Sequence, residues 1–290
     1  MKPSQCQRIQ IRGLAYNIRR WGAEDAPPLL LLHGSRDSSA SFQFFVDALQ
    51  NEWSIYAPDW RGHGLTSHVK GGYWFHDFVA DLDALMTELF NDKPVPVIGH
   101  SLGGNIGSIY AGLKPLRISR FVSLDGFGPL VDTVPVQAAD MLHSFLHKIS
   151  HERAPARYSS IAEMASRLIK SNRRLSEEKA YFLAENSARQ LDDGRFSWLF
   201  DANHRFTLPS LHSVEEWGDV WSNIQAPVLW LVSADERKVA PANNPELFSR
   251  RVGMMPNLTM EKIAETGHNL HHDEPEKVAD LAEKFILGGF

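Results

Sequence analysis

Apolar positions along the chain fall into two alternating rhythms. Leu29 to Leu32 is an unbroken apolar run ending at His33-Gly34, and Phe121 to Leu124 and Val228 to Val232 read the same way. Trp53 to Ala57 and Val95 to Ile98 are short, β-rich and followed by turn residues. Runs without polar alternation are what parallel strands require when both faces are covered. Arg8 to Ile11 and Ala15 to Arg19 do alternate, on either side of Gly13, and predict an early antiparallel pair with a glycine-containing turn. The second rhythm is helical. From Phe78, the positions Val79, Leu82, Leu85, Met86 and Leu89 recur at helical spacing, with Asp81, Asp83, Thr87 and Glu88 on the other face. Leu102 to Leu113 predicts a second helix closed by Lys114-Pro115, and Pro275 to Leu287 a terminal one with proline at its start. Strand and helix in alternation predict an α/β fold with an open, mostly parallel sheet, whose ligands bind beyond the carboxyl ends of the strands.

The alternation breaks near Pro129 and resumes near Pro227. The intervening stretch is mostly helical in pattern, as at Ile161, Met164, Ala165, Leu168 and Ile169, with turn-rich joints at Ser171-Asn172 and Asp192-Asp193-Gly194. It predicts a core built from residues 1–129 and 213–290, with 130–212 inserted as a helical cap, or lid, over the carboxyl ends of the strands. Charge does not make that insert an anion funnel: between Val131 and His212, eleven Lys and Arg face ten Asp and Glu. The whole chain, 290 residues with a formal charge of −5, carries no electrostatic footprint for nucleic acid or an anionic membrane. Its single cysteine, Cys6, excludes an intrachain disulfide, a four-cysteine zinc site and a redox CxxC pair. With no apolar segment near the amino terminus and no run of about 18 apolar residues, the expectation is a cytoplasmic protein without membrane insertion.

The sharpest chemical signal is Gly99-His100-Ser101-Leu102-Gly103-Gly104, between the strand Val95 to Ile98 and a helix. This is the G-x-S-x-G nucleophile elbow in its required context, a strand turning at once into a helix. Such a turn strains the middle residue and requires flanking glycines, holding Ser101 proud of the sheet at the positive end of the following helix. A serine hydroxyl needs a base, and the base an acceptor that holds its tautomer. Among thirteen histidines, His268 is placed best, in Thr266-Gly267-His268-Asn269-Leu270 between the last strand, Leu258 to Ile263, and the terminal helix. His271 and His272 are expected to cap that helix or bond locally, and a metal site of His268, His271, His272 and Asp273 lacks ligand spacing on a supporting helix. For the acid, Glu236 is the first choice, because it precedes an apolar residue and the Pro241 turn on an arm able to reach His268. Asp125 and Asp235, also at strand ends, are the alternatives. The oxyanion donors are expected to be the backbone amides of Leu102 and of Ser35, in the turn His33-Gly34-Ser35-Arg36-Asp37, with His33 orienting that turn.

With these pieces in order, the chain resembles the α/β-hydrolase superfamily over essentially its whole length. The matching segments are His33-Gly34, Asp59-Trp60-Arg61-Gly62-His63-Gly64, the Gly99 to Gly103 elbow, Val228 to Pro241, and Gly267-His268 before the terminal helix. The resemblance implies an eight-stranded sheet with helices on both faces, a helical cap, a Ser-acid-His triad and no cofactor. In many relatives the acid after the seventh strand is aspartate; Glu236 in its place leaves Asp125, after the sixth, in play. Ser101 stands where epoxide hydrolases and haloalkane dehalogenases carry aspartate. The His33 turn lacks the His-Gly-Gly-Pro-Gly of proline iminopeptidases and the Gly-Pro-Gly of meta-cleavage C–C hydrolases.

The resulting expectation is a serine hydrolase of the esterase type, cleaving an ester, lactone or thioester of a small-molecule acyl substrate with water. The alternatives are perhydrolase or haloperoxidase-like chemistry or C–C bond hydrolysis on the same triad, and a ligand-binding protein without turnover. Oligomeric state stays open. Substrate choice falls to the cap, where Phe196, Trp198, Phe200, Phe206 and Trp217 form an aromatic-rich passage. Phe127, Trp198 and Phe200 are the candidate substrate contacts, against a reading of these aromatics as lid core. If they line the pocket, an apolar acyl or alcohol group is expected.

Overall fold

The computed structural model describes residues 1–70, 72–91, 93–126, 138–150, 155–205, 214–233 and 245–289. Its strands are β1 (Ser4–Ile11), β2 (Leu14–Trp21), β3 (Pro28–Leu32), β4 (Ser54–Pro58), β5 (Val95–His100), β6 (Ile118–Leu124), β7 (Ala188–Gln190), β8 (Phe196–Trp198), β9 (Val228–Ser233) and β10 (Leu258–Ile263). Its helices are α1 (Gln43–Ala48), α2 (Phe75–Phe90), α3 (Leu102–Leu113), α4 (Ala138–Ile149), α5 (Ile161–Ser171), α6 (Glu177–Asn186), α7 (Val214–Trp221), α8 (Pro245–Gly253), α9 (Leu270–Asp273) and α10 (Pro275–Ile286).

Eight strands form one sheet in the order β1-β2-β4-β3-β5-β6-β9-β10. β1 and β2 pair antiparallel, closed by Arg12 and Gly13, both at positive φ, as a tight two-residue hairpin turn demands. β2 runs antiparallel to β4, and from β4 to β10 every pairing is parallel. β1 begins at Ser4, earlier than the alternating pattern predicts, because this edge strand is exposed along nearly its whole length and no face imposes a pattern.

The apolar runs have the expected cause. Leu30 and Leu32 point to one face with Val97, Phe121 and Val228, where α2, α3 and α7 cover them through Leu82, Leu85, Ile106, Tyr110 and Trp221. Leu29 and Leu31 point to the other with Ile98, Val122 and Leu229, under α1 and α10 through Phe45, Val46, Val278, Ala282 and Phe285. A strand with period two and a helix layer on each side reads as continuously apolar.

β3 lies between β4 and β5, so the chain leaves it in opposite directions along the sheet. That reversal opens a crevice beyond the carboxyl ends of β3 and β5, the usual ligand position in such sheets. Between β6 and β9 come α4 to α7, with α5 and α6 packed as a pair over a separate apolar cluster of Met164, Leu175, Ala180 and Leu183 that takes Phe44 from α1. Ser160 caps α5 by accepting from Glu163 N–H, and Ser176 caps α6 by accepting from Lys179 N–H. One feature departs from the mostly helical pattern: β7 and β8 form an antiparallel hairpin, each three residues long, too short for periodicity to register. Among the described residues, no helix is long and apolar enough to cross a membrane.

Candidate active site

The elbow begins with backbone geometry. Ser101, between β5 and α3, has φ 49° and ψ −111°, a conformation non-glycine residues rarely adopt and one that costs roughly 1–3 kcal/mol. Neighbouring contacts hold it there: Ser101 N–H donates to Leu124 O at 2.9 Å, and its carbonyl accepts from Asn105 N–H at 3.0 Å. The turn fits only because α3 passes close to β3. A Cβ on Gly103 would lie 2.1 Å from the Leu32 carbonyl oxygen. On the far side, a Cβ on Gly34 would lie 2.7 Å from His100 Nδ1 and 3.3 Å from Ser101 Cβ, so the turn after β3 presses directly against the serine.

His268 comes from the loop between β10 and α9. Its Nε2 is 2.9 Å from Ser101 Oγ and its Nδ1 is 2.7 Å from Asp125 Oδ2. A carboxylate only accepts, so Nδ1 carries the proton and Nε2 presents a lone pair to the serine hydroxyl. The His268 side chain is 40% exposed while Asp125 is 4% exposed, leaving the imidazole open to the cleft and its carboxylate partner shielded. The loop is anchored at both ends: Gly267 N–H donates to Asp273 at 2.8 Å, Asp273 in turn accepts from Asn172 at the end of α5 at 2.7 Å, and the His268 carbonyl accepts from His100 Nε2 at 2.9 Å.

Among the described residues the carboxylate meeting His268 is Asp125, one of the two alternatives; Glu236, the first choice, and Asp235 lie outside the described residues. The reason is strand order. β6 and β9 are neighbours, so Asp125 at the end of β6 stands beside Ser233 at the end of β9, and Ser233 N–H and Oγ–H each donate to its carboxylate at 3.2 Å. With φ 49°, Asp125 leaves the strand in a left-handed turn, and its own N–H is held by Leu231 O at 2.9 Å. Ser233 is a partner sequence reading missed; nothing in the pattern of an apolar strand ending in serine marks it.

The turn after β3 is set by two buried imidazoles. His33 Nδ1 donates to Gly34 O at 2.7 Å and Nε2 accepts from Trp60 N–H at 2.9 Å. His63 Nε2 accepts from Arg36 N–H at 3.0 Å, with Nδ1 on Arg61 O at 3.0 Å. Burial holds His63 well below the usual imidazole pKa, keeping it neutral and able to accept; the same cause places His204, packed on its ring, at about 3. The sequence motif Asp59 to Gly64 thus acts on the site through His63, a role its spacing does not disclose. Ser35 lines the cleft beside Ser101, and Leu102 opens α3, so its N–H lacks a partner within the helix.

The cleft, about 390 Å³, runs between the turn after β3 and the α5–α6 pair. Trp198 and Phe200 both line it, their rings stacked at 6.2 Å, and Trp198 Nε1 donates to Tyr158 Oη at 3.0 Å. The aromatic passage is narrower than expected. Trp217 packs against Trp221 in the core under α2 and α3, and Phe196 packs in the cluster under α5 and α6. Phe127 and Phe206 lie outside the described residues.

His271 and His272 do not cap a helix. Both are buried, and His272 Nε2 donates to Ser41 O at 3.2 Å. Burial also holds His100 and His271 well below the usual value, and among the described residues His100 Nδ1 and both His271 nitrogens have no hydrogen-bond partner. Ligating atoms of Asp37, His100 and His271 lie within 4.8 Å of one another, the one such grouping among the described residues. Asp37 is already engaged by Ser38 N–H and Ser41 Oγ–H, each at 2.8 Å, bonds a cation would compete with.

Known proteins agree with this architecture. Residues 27–275 match the family model described as alpha/beta hydrolase fold. A serine hydrolase-like protein of Danio rerio is 28% identical over 278 residues, covering 92% of this chain and 83% of that one. A 2-(acetamidomethylene)succinate hydrolase of Mesorhizobium japonicum is 24% identical over 280 residues, covering 97% and 94%. Among solved structures, the thioesterase domain from the curacin biosynthetic pathway superposes with a TM-score of 0.87 at 25% identity, covering 97% of this chain and 99% of that one. The chain belongs to the α/β-hydrolase fold family.

Proposed function

We propose that this protein is a serine hydrolase that cleaves a carboxylic ester, lactone or thioester through an acyl-enzyme. The observation carrying the reading is the hydrogen-bonded chain Ser101 Oγ, His268 Nε2, His268 Nδ1, Asp125 Oδ2, at 2.9 and 2.7 Å. In this reading Ser101 attacks the acyl carbonyl while His268 Nε2 takes its proton, and Asp125 stabilises the imidazolium. The tetrahedral oxyanion is met by the backbone N–H groups of Leu102 and Ser35, the former at the positive end of α3. Collapse expels the alcohol or thiol, protonated by His268, and leaves the acyl group on Ser101. Water, deprotonated by the same imidazole, then releases the acid.

Residues 130–212 act in this reading as the cap. Support comes from Leu168, Leu175 and Leu183, contributed by α5, α6 and their connection, which line the same cleft as Ser101 and supply an apolar wall for the acyl or alcohol group. The names of the relatives, serine hydrolase-like and thioesterase, support the same chemistry.

The test is covalent. A fluorophosphonate probe is expected to label Ser101, located by mass spectrometry, and p-nitrophenyl esters are expected to turn over, with both signals lost in Ser101→Ala. Folded protein giving neither adduct nor turnover would overturn the assignment.

A further inference from the structure

Several arginines among the described residues pair with carboxylates. Arg12 and Arg61 pair with Asp77 and Asp81, Arg20 with Glu24, Arg157 and Arg195 with Asp193, and Arg250 with Glu215. Arg36 and Arg167 do not: both line the cleft that holds Ser101 and His268, and among the described residues neither guanidinium has an ion-pair or hydrogen-bond partner.

Each is delivered to the cleft by a fixed backbone. Arg36 follows Ser35 in the turn after β3, at φ 58°, with its N–H donated to His63 Nε2, so the direction in which its side chain leaves is preset. Arg167 projects from α5, whose end is tied to the His268 loop through Asn172 and Asp273. One charge thus comes from the core and the other from the insert. The described residues lining the cleft include one carboxylate, Asp37, and its oxygens are engaged by Ser38 N–H and Ser41 Oγ–H. On a chain with a formal charge of −5, the described side chains lining the cleft thus bring two guanidiniums against one carboxylate. Planar guanidinium groups pair with carboxylates through paired, charge-assisted hydrogen bonds, and unpaired ones at a reactive centre are suited to a substrate anion.

We propose that the substrate carries a carboxylate in addition to its scissile ester or thioester, and that Arg36 and Arg167 bind it. This rests on the hydrolase reading above and specifies its substrate class.

The experiment compares matched esters differing only in charge: monophenyl adipate against its methyl ester, for an anion on the acyl side, and 4-acetoxybenzoate against its methyl ester, for an anion on the leaving group. In one of the two pairs, kcat/KM for the carboxylate is expected to exceed that for the neutral ester at least tenfold, mainly through KM. Arg36→Gln and Arg167→Gln are each expected to reduce that preference about tenfold, Arg167→Glu to reverse it, and added salt to erode it through screening. A second readout needs no turnover: adipate, and not adipamide, is expected to raise the thermal midpoint of the intact protein, and the double glutamine variant to lose the effect. Equal use of charged and neutral esters, or a preference and an adipate response that survive both substitutions, would overturn the carboxylate site while leaving the hydrolase standing. Failure of Ser101 labelling with a persisting adipate response would instead overturn the hydrolase reading and keep the site.

Discussion

Asp125→Asn is the substitution on which the assignment of the acid turns, and its effect follows from the hydrogen bonds around one carboxylate. Oδ1 accepts from the Ser233 backbone N–H at 3.2 Å, a group that can only donate. In the variant, that donor selects the amide oxygen for the Oδ1 position, which forces the amide NH2 into the Oδ2 position beside His268 Nδ1. Ser233 Oγ, 3.2 Å from Oδ2, can accept from the same NH2, so the orientation is supported twice. An NH2 facing Nδ1 makes Nδ1 the acceptor and moves the ring proton to Nε2. His268 Nε2, 2.9 Å from Ser101 Oγ, would then donate to the serine and could not take its proton. Wrong-tautomer substitution in a serine-protease triad costs about 10⁴ in kcat, so a loss of about 10³ to 10⁴ is expected, or about 4–5 kcal/mol of transition-state stabilisation. Since the amide preserves shape and the bonds to Ser233, the thermal midpoint should stay within about 2 °C of the parent. The assay is kcat on a p-nitrophenyl ester, with Glu236→Gln and Asp235→Asn in parallel, both expected to stay within about threefold. An Asp125→Asn enzyme retaining more than a tenth of its kcat, or a Glu236→Gln enzyme losing as much as Asp125→Asn, would refute the reasoning.

Two further predictions concern stability. Burial lowers the pKa of His63, His100, His271 and His272 in the fold, and places His204 at about 3. The unfolded chain, with imidazoles near 6.5, therefore binds more protons below that pH, so stability present above about 6.5 is lost as pH falls; His204 alone accounts for about 2 kcal/mol between neutrality and pH 5. Urea midpoints measured from pH 8 to 5 should fall steeply below pH 6.5, and a flat profile between 7 and 5 would contradict this. Separately, fully buried Asp81 accepts from Arg61 at 2.6 and 2.7 Å, from Arg12 at 2.8 Å, and from Tyr16 Oη, whose pKa burial and that charge push well above its usual value. Asp81→Ala strands the Arg61 guanidinium and should cost about 3–5 kcal/mol in urea unfolding; a loss under about 1 kcal/mol would show that Asp77, 3.2 Å from Arg61, suffices.

The parts of this protein that local sequence determines are those whose physics is local. Unbroken runs such as Leu29 to Leu32 declare strands covered on both faces, and Gly99 to Gly104 declares a strand entering a helix with no room for side chains, because that constraint is met within six residues. Ser101 and the His268 loop were legible for the same reason: each sits at a strand end whose flanking residues announce the turn. The carboxylate that meets His268 was not, since Asp125 and Glu236 both follow apolar strands and look alike along the chain. What the chain does not show is lateral: β6 lies next to β9, so Ser233 donates to Asp125, whose carboxylate meets His268. Strand order arises from packing between segments more than a hundred residues apart, and no local pattern encodes it. The same holds for His63 holding the turn after β3, for Trp217 joining the core instead of the cleft, and for the meeting of Arg36 and Arg167, which lie more than a hundred residues apart in the chain and line one cleft.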